Sequence, residues 1–365
     1  MKTITLQKYA YIDALRAFAI MGVVLLHTSQ WITPSSGIFQ GIARMGGYGV
    51  QLFFIASSLA LFLSMQARSQ RETHAVLGFF IRRFFRIAPM FYLGIVAYLL
   101  YNSASQERLE QIGAWWHVIV TALFLHGWCP ETINLIVPGD WSIAAEMSFY
   151  IFVPVLFSIL NNLKRSLYFL FISVVAGKLL AVIVVRSLLF ISPPSQSYSI
   201  HVFSYYWFFS QLPVFILGIC LFHVLCREQN KRNKSLGLFL LLVSMFLFIA
   251  FINYSCWGDL IPQHLAYAGA FCIFAAALHW YPHWIFVNFL TKAIGKISFS
   301  LYLSHFMLLN LFKSSFHGRF LFHGDFATGF AFLIVLGASA AVSTVLYFAV
   351  EKPGINFGKY LIRRL

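Results

Sequence analysis

The chain has 365 residues, of which 60% are hydrophobic and only 10% are charged, with a mean hydropathy of +0.78. A soluble domain carries about a quarter charged residues, so this composition excludes one and indicates an all-α polytopic membrane protein embedded in a lipid bilayer. The net charge of +15 does not indicate a nucleic-acid partner, because the basic residues sit in short links between apolar runs, as in cytoplasmic loops.

At about 20 apolar residues per spanning helix, the chain reads as about ten spans. The first covers Tyr11 to Ser29 and is followed by a polar link with Pro34, Gly37, Gly46 and Gly47. The second is Tyr48 to Met65. The most basic link comes next, with Arg68, Arg71, Arg82, Arg83 and Arg86, and leads into a third span, Ile87 to Tyr101. The segment from Asn102 to Asp140 holds Glu107, Glu110 and Glu131 beside a short run, Trp115 to Trp128, rich in Trp and His. That run is too short for a comfortable span and reads as a re-entrant or interfacial helix. Later spans are Trp141–Leu160, Leu167–Val185 (with Lys178 inside), Tyr205–Leu225, Leu236–Tyr254, Gln263–Tyr281, Ile294–Leu311 and Ala327–Val350. A basic tail with Lys352, Lys359, Arg363 and Arg364 closes the chain.

With both termini cytoplasmic, the inner segments hold roughly 19 Lys and Arg and the outer ones roughly 5, a strong positive-inside bias. The first apolar run carries Asp13 and Arg16 and has no small-x-small cleavage site, so it reads as a retained span rather than a signal peptide. No repeat or separate soluble segment appears, and residues 1–365 read as one membrane domain. The five cysteines form no CxxC or zinc-spaced cluster, and no metal site is expected. Cys129 and Cys256 fall in outer loops, where a disulfide is conceivable.

Four constellations can carry chemistry. On a helix, the eleven steps from Arg16 to His27 make roughly three turns, so both side chains share a stripe with Asp13, about 16 Å from end to end. Ionisable groups in a span usually face a bundle interior or a water-filled cavity. The alternative is an interfacial Asp13–Arg16 pair and a loop-bonded His27. Arg82, Arg83 and Arg86 form a second group, suited to phosphates at the inner surface or, as a bare pattern, to a topology anchor binding anionic lipid. The third is Asp140 to Tyr150, where Glu146 is a carboxylate in the outer half of its span. It either orients His27, partners Lys178 or makes a helix-packing hydrogen bond. The fourth, Gly295 to His305, puts His305 in mid-span, as a site residue or a satisfied bundle residue.

At these residues the chain resembles the membrane-bound acyltransferase-3 family. Arg16 to His27 matches the family's Arg or Lys, ten residues, then His. Gly49 to Ser58 resembles its Gly-Val-Asp-Leu-Phe-Phe stretch ending in Ser-Gly, with Gln51 in place of Asp and Ser58 in place of Gly. Arg83 and Arg86 resemble its Arg-x-x-Arg. Trp141, Ser142, Glu146, Phe149 and Tyr150 resemble its Trp-Ser-Leu, Glu and Phe-Tyr. Ser298, Tyr302 and His305 fall in its Ser-Tyr-Ser-Leu-Tyr-Leu-x-His, and Glu351-Lys-Pro353 resembles its final Glu-x-Pro.

The resemblance implies an O-acyltransferase of a bacterial inner membrane. It would take an acyl group, most often acetyl, from acetyl-CoA as donor substrate, with no permanently bound cofactor, and pass it to a hydroxyl of a cell-surface or secreted glycan or lipid-linked sugar. Arg82, Arg83 and Arg86 would hold the donor phosphates. Arg16 would line the path, Glu146 would orient His27, and His27 would act as general base or transient acyl carrier. Asp13, Trp141, Ser142, Tyr150, Ser298, Tyr302 and His305 would support the site. Some relatives carry an extra hydrolase-like domain outside the membrane; transfer is expected here within the membrane domain or with a separate partner. The rival reading is a transporter of sugars or anions. Such proteins often show paired half-repeats with broken helices, and none is visible in this sequence.

Overall fold

The computed structural model describes residues 9–103, 113, 115–227, 233–253, 262–316 and 324–365. It is 85% helical, and no strand occurs among the described residues, so the protein is all-α. The helices are α1 (Ala10–Trp31), α2 (Gly37–Gly46), α3 (Gly49–Arg68), α4 (Ala75–Ser103), α5 (Trp115–Ala122) and α6 (Trp141–Ile159). They continue as α7 (Leu163–Ile191), α8 (Ser197–Tyr206), α9 (Phe208–Arg227), α10 (Lys234–Asn253) and α11 (Gln263–Trp280). The last are α12 (Phe289–Lys296), α13 (Ser298–Phe316), α14 (Gly324–Leu346) and α15 (Lys352–Ile362), the final two joined by a π-helical turn over Tyr347–Glu351.

Among the described residues, eight segments are long and apolar enough to cross a membrane, which makes this a multi-pass membrane protein. They correspond to the first seven expected spans and the last. The sequence reading also counted α11 and α13; both are helical, but they are not among the eight. Helix α7 leaves Phe171, Ile172, Leu179, Ile183 and Phe190 exposed, as a lipid-facing helix does.

Three boundaries move. Helix α4 begins at Ala75, twelve residues before Ile87, so Arg82, Arg83 and Arg86 lie within a helix rather than in a link. The apolar residues from Ala75 to Ile81 continue the helical run, and long basic side chains can reach polar surroundings from inside it. The run from Trp115 gives only the eight-residue α5 and a 3-10 turn over His126–Trp128, too short to span. The basic tail is helical: Pro353 occupies the first turn of α15, where its missing N–H costs nothing. Cys129 has no disulfide partner among the described residues. Glu107, Arg108, Glu110, Cys256 and Arg319 lie outside them.

The chain forms two compact units. The first comprises residues 1–60 and 217–345, and α1 is its axis, packed by α2, α11, α12 and α13. Ala14, Leu15, Ala17, Ala19, Ile20 and Val24 of α1 are wholly buried. Lipid tails are as apolar as leucine, so helices here are held by close approach of small residues rather than by exclusion of water. Gly22 of α1 shows this: a Cβ there would stand 3.0 Å from the Gly46 Cα of α2. The end of α1 is also tied to α14, where Thr328 donates to the Ile32 carbonyl at 2.8 Å and Asp325 accepts from the Ser36 N–H at 2.9 Å.

The second unit comprises residues 61–216 and 346–365. Helix α4 is its centre, covered by α15 and by the π turn. The rings of Phe85 and Phe357 meet edge to face at 5.1 Å between these two helices.

Candidate active site

In the first unit, α1 carries the expected stripe. Arg16 Nη1 lies 3.4 Å from Asp13 Oδ1, three residues earlier on the same face. Farther along, His27 Nδ1 faces Gln30 Oε1 at 3.0 Å. An amide oxygen only accepts, so Nδ1 carries the hydrogen and the Nε2 lone pair is left as base or nucleophile.

Helix α13 brings a second imidazole to the first. The rings of His27 and His305 lie 5.6 Å apart, and Phe306 packs against both, 4.3 Å from His27 and 4.2 Å from His305. His305 is wholly buried. Its Nδ1 donates to the Tyr302 carbonyl at 2.7 Å, with Leu301 O at 3.3 Å, which fixes the same tautomer as in His27. Its Nε2 is buried and has no hydrogen-bond partner among the described residues. Tyr302 packs near the His305 ring at 5.8 Å, and Ser298 is buried one turn before Tyr302. The first unit thus brings together Asp13 with Arg16, and His27 with His305, beside which Tyr302 packs.

In the second unit, Tyr150 donates its hydroxyl hydrogen to Glu146 Oε1 at 2.7 Å. The Arg83 guanidinium lies 5.9 Å from the Tyr150 ring and 6.0 Å from that of Phe79, within cation–π range. Arg83, Tyr150 and Glu146 therefore form one chain of contacts. Arg82 is turned elsewhere, in a two-pronged bridge to Glu72: Nη1 to Oε1 at 3.0 Å and Nη2 to Oε2 at 2.9 Å. Arg68 binds the same carboxylate at 2.8 Å. Although its partial burial opposes ionisation, the bonds from Arg68 and Arg82 hold Glu72 below the usual carboxylate range. Arg86 is half-buried and has no hydrogen-bond or ion-pair partner among the described residues.

Trp141 opens α6, stacked on Tyr206 at 4.4 Å, and Ser142 Oγ donates to the Gly139 carbonyl at 3.1 Å. The loop before α6 is stitched by a wholly buried pair. His126 Nε2 donates to the Asp140 carbonyl at 3.1 Å, and Asp140 Oδ1 accepts the Asn134 N–H at 2.8 Å. Asn134 has φ +58°, a left-handed conformation that Asn tolerates. Burial pushes Asp140 up to about 6, against His126 and the backbone hydrogen bonds from Asn134 and Val137.

Sequence reasoning missed Gln30, Glu72 and His126. The first two had a local signal, Gln30 three residues after His27 and Glu72 four after Arg68, both helix-neighbour spacings. His126 had none, being fourteen residues from Asp140 across an irregular loop.

The acyltransferase domain of the acyltransferase-3 family matches residues 9–348. A protein of Staphylococcus aureus (strain COL), provisionally named an O-acetyltransferase, is 26% identical over 337 residues, covering 83% of this chain and 51% of that protein. The O-acetyltransferase OatA of Staphylococcus aureus (strain NCTC 8325 / PS 47) is 24% identical over 386 residues, covering 94% of this chain and 56% of its own length. The chain therefore spans about half the length of the curated relatives it matches. No solved structure matches it. With the family match running through both units, from α1 with His27 to the turn after α14, the chain belongs to the acyltransferase-3 family.

Proposed function

We propose that the protein is an integral-membrane O-acetyltransferase of a bacterial inner membrane. It moves an acetyl group from acetyl-CoA on the cytoplasmic side to a hydroxyl of a cell-surface or secreted glycan or lipid-linked sugar. Family membership supports the reaction class over transport, as do the O-acetyltransferase names of the relatives. The observation that carries the chemistry is His27: its Nδ1–H is held by Gln30, and its Nε2 lone pair is left for the reaction.

A neutral imidazole so held can take a proton from the acceptor hydroxyl or attack the thioester carbonyl itself. The CoA thiolate is a good leaving group and needs little acid assistance. Arg16, kept in place by Asp13, adds positive charge along the same helix. Arg83 and Arg86 are assigned to the donor phosphates, because arginine forks match phosphate oxygens and, among the described residues, Arg86 has no competing carboxylate. Glu146 acts with Tyr150, whose hydroxyl it holds.

The test is acetyl-CoA turnover by the purified protein in nanodiscs, measured as thiol release. Wild type is expected to turn over slowly with water and faster with a glycan acceptor, and His27→Ala is expected to be inactive while inserting normally. Wild-type rates in His27→Ala would overturn the assignment.

A further inference from the structure

His27 has one reactive nitrogen, and an acyl carrier uses it up. If Nε2 of His27 takes the acetyl group, a second base must accept the proton of the incoming hydroxyl. The structure holds such a group. His305 lies 5.6 Å from His27, ring to ring. Its hydrogen is committed to the Tyr302 carbonyl through Nδ1, and its Nε2 lone pair is buried with no partner among the described residues. Leaving a buried acceptor unpaired costs about 1–3 kcal/mol, a cost that a hydroxyl donated by a bound acceptor molecule would offset. Both tautomers are fixed by acceptors on Nδ1, so the two imidazoles offer lone pairs and not hydrogens to whatever binds beside them.

We propose that His305 is a second catalytic residue, the base that deprotonates the acceptor hydroxyl while His27 carries the acetyl group. The proposal rests on the acetyl-CoA reading above. In the first half-reaction, His27 Nε2 forms a bond to the acetyl carbonyl carbon and the carbon–sulfur bond breaks. CoA leaves as thiolate, and His27, still protonated on Nδ1, becomes an acetylimidazolium. In the second half-reaction, the acceptor oxygen bonds to that carbon and its proton passes to His305 Nε2. The carbon–nitrogen bond breaks, its electron pair returns to His27 Nε2, and the ester departs. The proton on His305 then passes to the CoA thiolate, giving CoA thiol and restoring both histidines.

The experiment uses the full chain in nanodiscs with radiolabelled acetyl-CoA and water as the acceptor. His305→Asn keeps an amide hydrogen where Nδ1 stands, to bond the Tyr302 carbonyl, and lacks Nε2. His305→Gln places an amide near Nε2 without a basic lone pair. Both are expected to release about one thiol per protein in a burst and to retain label on the protein that hydroxylamine removes. Steady-state turnover should fall about 100-fold or more. His27→Ala should show neither burst nor label.

If wild type turns over and both His305 variants run within about threefold of it, His305 is not the base. Loss of the burst together with turnover in both variants also overturns the proposal, since it marks a structural role. Failure of wild type itself to release thiol or take up label overturns the acetyl-carrier reading, and this proposal with it.

Discussion

Tyr150 hands its hydroxyl hydrogen to Glu146 at 2.7 Å, one turn earlier on α6, while its ring lies 5.9 Å from the Arg83 guanidinium. The same side chain thus steadies a carboxylate and a cation through different atoms, and two substitutions separate the effects. Tyr150→Phe keeps the ring and removes the hydroxyl. A hydrogen bond to a charged group contributes about 1.5–3 kcal/mol, so this variant should lose about tenfold or more in kcat with donor KM unchanged. Tyr150→Leu also removes the ring and should raise donor KM severalfold, because Arg83 loses an aromatic face worth about 0.5–2 kcal/mol. Steady-state kinetics with acetyl-CoA read both; equal kcat losses with equal KM changes would count against separate roles.

Asp140 is wholly buried, and burial places its carboxyl at about 6, well above the usual value. A raised acid binds its proton more tightly in the folded state, so it contributes stability at low pH and loses it as pH rises through about 6. The full swing is about 3 kcal/mol at one pKa unit per 1.36 kcal/mol. Asp140→Asn keeps an oxygen for the Asn134 N–H and does not titrate. Thermal unfolding in detergent from pH 4 to 8 should show wild type losing a few degrees relative to this variant, mostly between pH 4 and 6. A constant gap across that range would mean the carboxyl does not titrate there.

The sequence makes α1 plain because charge is rare in an apolar run, and spacing alone puts Asp13, Arg16 and His27 on one stripe. It also suggests His305, but not that His305 meets His27, since 278 residues separate them and only the packing of α13 on α1 joins them. Helix α4 starts earlier than the sequence indicates, because a cluster of arginines looks like a link. Arg82 instead reaches from within a helix to Glu72, ten residues earlier, a spacing that no helical period marks. The Asp140 loop depends on a left-handed Asn134 and a buried histidine, neither of which has a periodic signal.

Glu72 makes two opposed contributions that can be measured apart. Its carboxyl sits below the usual range, so its contribution to stability is full above about pH 4.5 and disappears as pH falls through the lower folded value. Glu72→Gln should therefore lower the thermal midpoint at pH 7, and the gap to wild type should narrow as pH falls below about 4.5. The same change frees Arg82 from a competing carboxylate. If Arg82 joins the donor phosphates, acetyl-CoA KM should fall about two- to fivefold at low salt, the size of a partly exposed ion pair, and return toward wild type at high salt. A KM that rises instead would show that the bridge organises the arginines for the donor.

Gly295 decides how closely α12 approaches α1. A Cβ at Gly295 would run into the Asp13 carbonyl oxygen, and it would also lie 2.5 Å from the Asp13 carbonyl carbon. Neither atom can rotate away, because both belong to the backbone of the helix that carries Arg16 and His27. Gly295→Ala must therefore push α12 off α1 or bend the first turn of α1, and overpacking of this kind costs about 1–3 kcal/mol. The displaced residue is Asp13 itself, so the Asp13–Arg16 pair moves and turnover should fall with stability. Gly269 of α11 is the control: a Cβ there meets nothing within 4 Å, and alanine is the better helix former by about 0.5–1 kcal/mol. Gly269→Ala should hold or raise the thermal midpoint and leave acetyl-CoA turnover unchanged. If Gly295→Ala behaves like Gly269→Ala in both assays, the close approach of α12 to Asp13 is not what holds the Asp13–Arg16 end of α1.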